Sequence, residues 1–503
     1  MTLALTSMNS SRNYNPFFFL LHLTDPLIKR DRLAIAETAG SSIRRNLETL
    51  NSTLEDALLP NNPLQSILGD FRAMDWFPQP SVTEDFLATD YIFDDCFSSK
   101  LSNQLHQLTV EIVETSESMT TGNCDQHQKT LEMADLASLF TISNLSAFIS
   151  AFFHSLHWHL PVVHFPTFDP GQVSNPLLLA IFLAGAKYTN TRGESDIPPG
   201  LLCVAEEHIF RRVANLSTTK LLENPAAGLG SAVETIQAAL IIEMLQFAQD
   251  DVQTRRRIRV VRHPCLVSII RSLGFFSLRR RMMLEVCCDE SRWRALISEE
   301  ICIRIACWAF LADGFLTVCF KNHPVLSAFE MACDFPWSTE LFEAESVTSF
   351  NKLVPTYAAE SSLPPLREVV TKLLNNSDAD NPLPWSHSMS EEHLLILIYG
   401  ISSFAFQARA GLFGHISLNT IKQAASKWKS IWESITTGLC HLNKEKALHL
   451  GYSKHAEELW WLLNATLEAS TVDNKTESLR YLESGETDEL TNLNEFIQWC
   501  YKT

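Results

Sequence analysis

The chain has 503 residues, 46% hydrophobic and 19% charged, with 30 Phe and 11 Trp. That much apolar surface excludes wholesale disorder and exceeds what one ordinary compact domain buries. A formal charge of −18 repels phosphate, so DNA contact would fall to a local basic patch or a separate module, and a protein partner suits the acidity better.

In chain order, the first apolar run is Phe17 to Leu23. Seven residues with a His inside cannot span a bilayer, and no small-residue cleavage site follows. The later run Leu394 to Ile401 is also too short, which predicts a soluble protein with no membrane partner. Residues 1–135 are rich in Ser, Thr, Asn, Asp and Pro and predict a poorly ordered N-terminal arm, with brief helices near Leu33–Leu50 and Leu101–Val113. Within it, residues 75–97 carry Asp75, Glu84, Asp85, Asp90, Asp94 and Asp95 without Lys or Arg. These acids alternate with Trp76, Phe77, Phe86, Tyr91, Phe93 and Phe97. Acids keep aromatics solvated yet free to dock in a partner's groove, as in activation segments, although a polar linker packing a few aromatics would read the same way.

Residues 136–503 predict an all-α, large multi-helix domain. Leu177–Tyr188 is apolar on nearly every face, with Pro176 at the start where a missing N–H costs nothing. Ala232–Phe247 is another good helix former. In Trp293–Phe320, Ile297, Ile301, Ile305, Trp308, Ala312, Phe315 and Cys319 recur at three- and four-residue steps and predict one shared face. Arg304 lies near that stripe with Glu300 one turn earlier, which predicts a buried ion pair. Ser388-Met-Ser-Glu391 has capping-box spacing before the helix Leu394–Ala408, and Glu457–Leu467 continues the pattern. After an acidic tail the chain ends in an aromatic segment, Phe496–Tyr501.

Chemistry-bearing patterns are sparse. Zinc fingers need paired Cys and His at fixed spacing to close a tetrahedron; the twelve Cys are scattered without a CxxC and read as reduced core thiols. His154, His157, His159 and His164 cluster, but Pro161 and Pro166 break the helix, so packing and capping outweigh a metal site. There is no G-x-S-x-G, Walker A or G-x-G-x-x-G run, and the expectation is that the chain is not an enzyme. Asp94-Asp95 resembles the aspartate-rich Mg²⁺ site of terpene synthases faintly, which keeps an all-α diphosphate enzyme as a further alternative. The basic runs Arg255, Arg256, Arg257, Arg259, Arg262 and Arg279–Arg281 could touch phosphates; an ion-paired helix face near Asp250 and Asp251 is the plainer reading.

Three blocks carry a resemblance. The first holds Pro161, His164, Pro166, Thr167 and Phe168 in the turn P-V-V-H-F-P-T-F, followed by a small-residue helix containing Gly185. The second runs from the basic helix through Arg262 and His263 to Gly274 in L-G-F-F. The third spans Trp293, Glu300, Arg304, Trp308 and Asp313, then Pro324, then Pro336 in D-F-P and Glu340-Leu-Phe342. In this order they resemble the fungal-specific transcription factor domain, covering about residues 140–345 well.

The resemblance implies a helical regulatory domain in the nucleus, usually C-terminal to a zinc-dependent DNA reader. Leu23–Asp31 is similar to the end of a finger helix but has no Cys pair before it. Either the protein acts without its own finger, or one is encoded upstream. The chain itself then needs no cofactor, zinc entering only with such a finger, and DNA is met indirectly or through it. The implied role is regulation of RNA polymerase II transcription, for a metabolic or secondary-metabolite gene cluster, with the transcription machinery or a paralogous factor as partner. Alternatively, the protein pairs with a paralogue and inhibits it; a homodimer is also open.

Overall fold

Apolar residues at three- and four-residue steps become helix after helix in the computed structural model, which describes residues 18–24, 95–122, 131–189, 197–216, 225–249, 251–280, 288–357, 363–375, 384–409, 417–436, 451–469, 480–483 and 485–502. Among these residues there is no β-strand. The expected helix Leu33–Leu50 and positions 75–94 of the acidic–aromatic segment, with Asp75, Trp76, Phe77, Phe86, Tyr91 and Phe93, lie outside the described residues.

Two elements from the first 135 residues pack into the main body. Helix α1 (Phe18–Thr24) buries Phe19, Leu20 and Leu23, and α2 (Asp95–Gly122) buries Leu101, Leu105, Leu108 and Ile112 along one side. The short α3 (Met133–Leu139) leads to α4 (Ile142–His154), whose cap Thr141 accepts the N–H of Asn144 at 3.2 Å. Helix α5 (Asn175–Thr189) packs on α4, and a Cβ at Gly185 would lie 1.8 Å from the carbonyl oxygen of Phe148. Only glycine permits the two backbones to cross so closely. Next come α6 (Leu201–Leu216) and α7 (Pro225–Phe247), which pack on each other, and α7 also packs on α5.

The basic block forms α8 (Val252–Arg257), a single π-helical turn at Ile258–Arg262, and α9 (His263–Ser272). Gly274, at φ +76°, closes α9 in the left-handed conformation that favours glycine. Then α10 (Glu290–Phe320) begins on Asp289, which accepts the N–H of Arg292 at 2.8 Å, and runs through the centre. Every residue from Cys302 to Leu311 is buried, so the stripe from Ile297 to Cys319 is one side of a helix enclosed all round. Helix α10 is also long and apolar enough to cross a membrane, unlike the short runs at Phe17–Leu23 and Leu394–Ile401; 83% of its most apolar stretch is buried inside the protein.

The remaining elements are α11 (Thr339–Phe342), α12 (Val347–Tyr357), α13 (Leu366–Leu374), α14 (Glu391–Arg409), α15 (Leu418–Thr436), α16 (Ala456–Ala469), α17 (Arg480–Glu483) and α18 (Thr491–Lys502). Helix α14 sits between α10, α15 and α16. Its cap differs from the expected Ser388–Glu391 box. Ser390 accepts the N–H of His393 at 3.4 Å, while His393 Nδ1 accepts the N–H of Ser390 at 3.0 Å. The reciprocal cap is thus present two residues later, with an imidazole in the glutamate's place. Helices α1 and α18 meet: Asn494 on α18 donates to Thr24 Oγ1 at 2.8 Å and to the Leu21 carbonyl at 3.2 Å.

Gly185→Val should destabilise the protein by roughly 1–3 kcal/mol or more, because overpacking at backbone contact cannot be relieved by a rotamer change. Urea unfolding measures it, and an unchanged midpoint would contradict the close crossing.

Candidate functional site

Glu300 and Arg304 are both fully buried, and Arg304 Nε donates to Glu300 Oε1 at 3.0 Å as the spacing predicted. The pair is the middle of a larger cluster. Glu300 also accepts the N–H of Trp337 at 2.8 Å and pairs with Arg280, while Arg304 donates to the Trp337 carbonyl at 2.6 Å and to the Pro161 carbonyl at 3.4 Å. The guanidinium lies 4.1 Å from the Phe342 ring centroid. From α14, His393 Nε2 bonds the Pro336 carbonyl at 2.7 Å, and burial pulls this imidazole down to about 4, so it stays neutral and donates.

A second charged group holds the far half of α10. His263 lies with Nδ1 3.2 Å from Glu243 Oε2 and Nε2 3.6 Å from Asp313 Oδ1, all three essentially buried. Burial alone would lower its pKa, but Glu243 and Asp313 outweigh that and raise it from the ordinary 6.5 to about 10. It is therefore an imidazolium held between two acids. Asp313 also accepts the N–H groups of Val325 and Leu326 at 3.0 and 2.9 Å, which fixes the turn after Pro324.

The other signature residues are structural as well. His164 Nδ1 meets Thr167 Oγ1 at 2.8 Å beneath the Trp293 and Phe342 rings, and burial lowers it to about 4. Phe168 packs edge-on to Phe153, and Pro166 sits half-buried in the same turn. Trp293 joins a smaller core with Trp337, Phe342 and Phe350. Of the four histidines in the cluster, His154 bonds its own helix at the Ser150 carbonyl, while His157 pairs with Glu343 at 2.8 Å, an acid that His164 also faces. Among the described residues no group of three or more His, Cys, Asp or Glu side chains could hold a metal ion.

Most of the described arginines of the basic runs pair with acids of the same chain. Arg257 and Arg262 both reach the buried Glu206 at 2.7 Å, Arg262 also reaches Glu207 at 2.5 Å, and Arg256 and Arg259 pair with Asp488. Arg279 and Arg280 pair with Asp334 from irregular, non-helical backbone, so the described part of this run is no helix face. The partners are Glu206, Glu207 and Asp488; Asp251 instead caps α8 by accepting the N–H of Thr254 at 2.8 Å. Asp250, Arg281 and Asp94 lie outside the described residues.

Beside these groups lies a cavity of about 140 Å³. Helix α10 contributes Trp308, Ala312 and Phe315 to its wall, which is why this side of the stripe is less enclosed. Opposite stand Phe19, Leu20 and Leu23 of α1. The polar edge is made by His159, Glu243, Glu392 and His455. Of these groups the sequence singles out only His159, within the histidine cluster, because no motif links residues so far apart; the apolar run at Phe17–Leu23 is the visible trace of α1.

The family described as fungal specific transcription factor domain matches residues 149–428. Transcription factor verF of Penicillium polonicum is 24% identical over 500 residues, 94% of this chain and 68% of that protein. Zinc finger protein zas1 of Schizosaccharomyces pombe is 22% identical over 277 residues, 53% of this chain and 28% of its own length. A nicotinate catabolism cluster-specific transcription factor of Emericella nidulans is 23% identical over 240 residues, 46% of this chain and 26% of that protein. No solved structure matches.

Removing Arg304 leaves the buried Glu300 with only Arg280, and removing Glu300 takes from the buried Arg304 its 3.0 Å partner, so either change under-compensates a buried charge and should cost about 3–5 kcal/mol. The Glu300→Leu/Arg304→Met double variant should cost clearly less than the sum; strict additivity in urea unfolding would remove the pair. For His263, the raised pKa means stability that is full below about pH 6.5 and lost as pH climbs towards 10. Lys321, which burial pushes down to about 7, acts in the opposite sense over that range. The readout is therefore the difference: between pH 7 and 10 the wild-type Tm should fall relative to that of His263→Gln, and parallel profiles would contradict the buried imidazolium.

Proposed function

This chain belongs to the fungal specific transcription factor domain family, and on that premise we propose that it regulates RNA polymerase II transcription in the nucleus, with the genes of a metabolic cluster as its targets. The family match over residues 149–428 is the observation that carries this reading. A relative named for a nicotinate catabolism cluster lends support to the metabolic assignment.

The helical body is the part that senses and relays. Its arginines are spent on Glu206, Glu300, Asp334 and Asp488, so the body's charge is arranged for internal order and leaves DNA reading to another module. The segment Asp75–Phe97 is the candidate activating element, its acids and aromatics suited to a groove on the transcription machinery. The same economy of basic charge favours a second reading, in which the protein pairs with a finger-bearing paralogue and inhibits it.

Transcript profiling after deletion of the gene separates these readings. Loss of expression from a limited set of genes is expected, together with nuclear accumulation of a fluorescent fusion. A rise in those transcripts would support the inhibitor, and no change in either direction would defeat both. Residues 1–135 fused to a foreign DNA reader should activate a reporter; silence would remove the activating role of this region.

A further inference from the structure

Small cavities that stay empty in proteins are lined by apolar atoms, because a buried hydrogen-bonding atom left without a partner is costly. The cavity beside α10 departs from that rule. His159 Nδ1, Glu243 Oε1, Glu392 Oε2 and His455 Nε2 are buried without a hydrogen-bond partner, and all four residues line it. Glu392 Oε2 lies 3.9 Å from Arg304, although burial outweighs that cation and raises the carboxyl's pKa. The rest of the wall is mostly aromatic and aliphatic, with Ser453, Tyr399, Tyr452 and Cys319 also lining it. Such a space asks for an occupant that is mostly apolar but brings hydrogen-bonding capacity to one edge.

The chemistry of that edge narrows the class. His455 Nδ1 faces Glu458 Oε1 at 3.4 Å, so its proton sits there and Nε2 is left as an acceptor. Burial keeps His159 and His455 neutral. Glu243 Oε1 is a second acceptor, its other oxygen being engaged by His263. The missing group is therefore a donor. The carboxylates already have His263 and Arg304 as counter-charges, so a cationic occupant would lose its hydration without a free acid to match it, and an anion would meet two acids, Glu243 and Glu392. A volume of about 140 Å³ is close to that of engineered cavities of about 150 Å³ that take benzene.

We infer that this cavity binds a small, uncharged, monocyclic phenol-like molecule, its hydroxyl donating to the His455–Glu243 edge, and that occupancy holds α1 against the body. The second part follows from how α1 is seated. Its N–H groups at Phe19 and Leu20 donate to the Glu458 carboxylate at 3.0 and 2.9 Å, and Phe19 stacks on His455 at 4.0 Å. Glu458 thus orients both the ligand-facing imidazole and the helix that walls the ligand in. An occupant touching Phe19, Leu20 and Leu23 binds only the docked state of this seven-residue helix and so stabilises it.

The test uses the full chain with 4-propylphenol and, as its isostere without the hydroxyl, propylbenzene. Calorimetry should show saturable binding of the phenol and roughly five- to tenfold weaker binding of the hydrocarbon, the worth of one net hydrogen bond. Ala312→Phe, which fills the space, should abolish binding, and amide exchange at Phe19 and Leu20 should slow with the phenol bound. Equal affinity for the two probes, or full affinity in Ala312→Phe, would overturn the site; unaltered exchange at Phe19 and Leu20 would overturn the coupling. If Ala312→Phe does not fold, NOEs from the probe ring in the unaltered protein decide. Contacts with Phe315 and Leu23 support the site, and contacts only elsewhere refute it. Binding is read on the purified chain, so its failure leaves the transcriptional role standing, and the reverse also holds.

Discussion

One buried carboxylate organises the centre of this protein. Glu300 is fully enclosed, and its two oxygens together satisfy Arg304, Arg280 and the Trp337 amide. Taking such a charge out of water costs several kcal/mol, and a single ion pair rarely recovers that. Here the carboxylate ties α10 to the extended 278–280 segment and to the 334–337 turn, while Arg304 carries the connection on to the Pro161 turn. Apolar residues at 300 and 304 would fill the volume equally well, but they would not specify which loops meet there.

The signature residues of the family share that purpose. His263 and Asp313 position α9, α10 and the turn at Val325 and Leu326; His164, Trp293 and Phe342 seat one turn against the smaller core. Arg262 binds Glu206 and Glu207. Several structural acids among the described residues are matched to a buried or half-buried cation, Glu300 to Arg304, Asp313 to His263 and Glu206 to Arg262. The cavity is bordered by two of these charged groups through Glu243 and Glu392, so an occupant there is in position to bias the packing of α7 and α14 on α10.

What the sequence made legible was local. The continuous apolar run of α5 and the three- and four-residue stripe of α10 are visible in the sequence, and the Glu300–Arg304 pair follows from a four-residue step on one helix. The cap at Ser390 was misplaced because an imidazole substitutes for the usual glutamate three residues on, and the pattern sought an acid. The partners of the basic residues were sought nearby in the chain, at Asp250 and Asp251, whereas the acids that bind them are 51 and 229 residues away. The seating of α1 on Glu458, 439 residues distant, has no local signature at all. Neither does the cavity, which exists only once α1, α7, α10 and α14 have come together.

Native-state amide exchange on Glu300→Gln addresses the organising role of this carboxylate most directly. The substitution keeps the volume and removes the charge. If Glu300 ties the loops to α10, protection should collapse at Trp337 and across Ala332–Asp334, whose amides bond to Phe276 and Leu278, while α4 and α5 keep theirs. A small, uniform loss spread over the whole chain, or no loss at Trp337, would mean that packing alone places these segments.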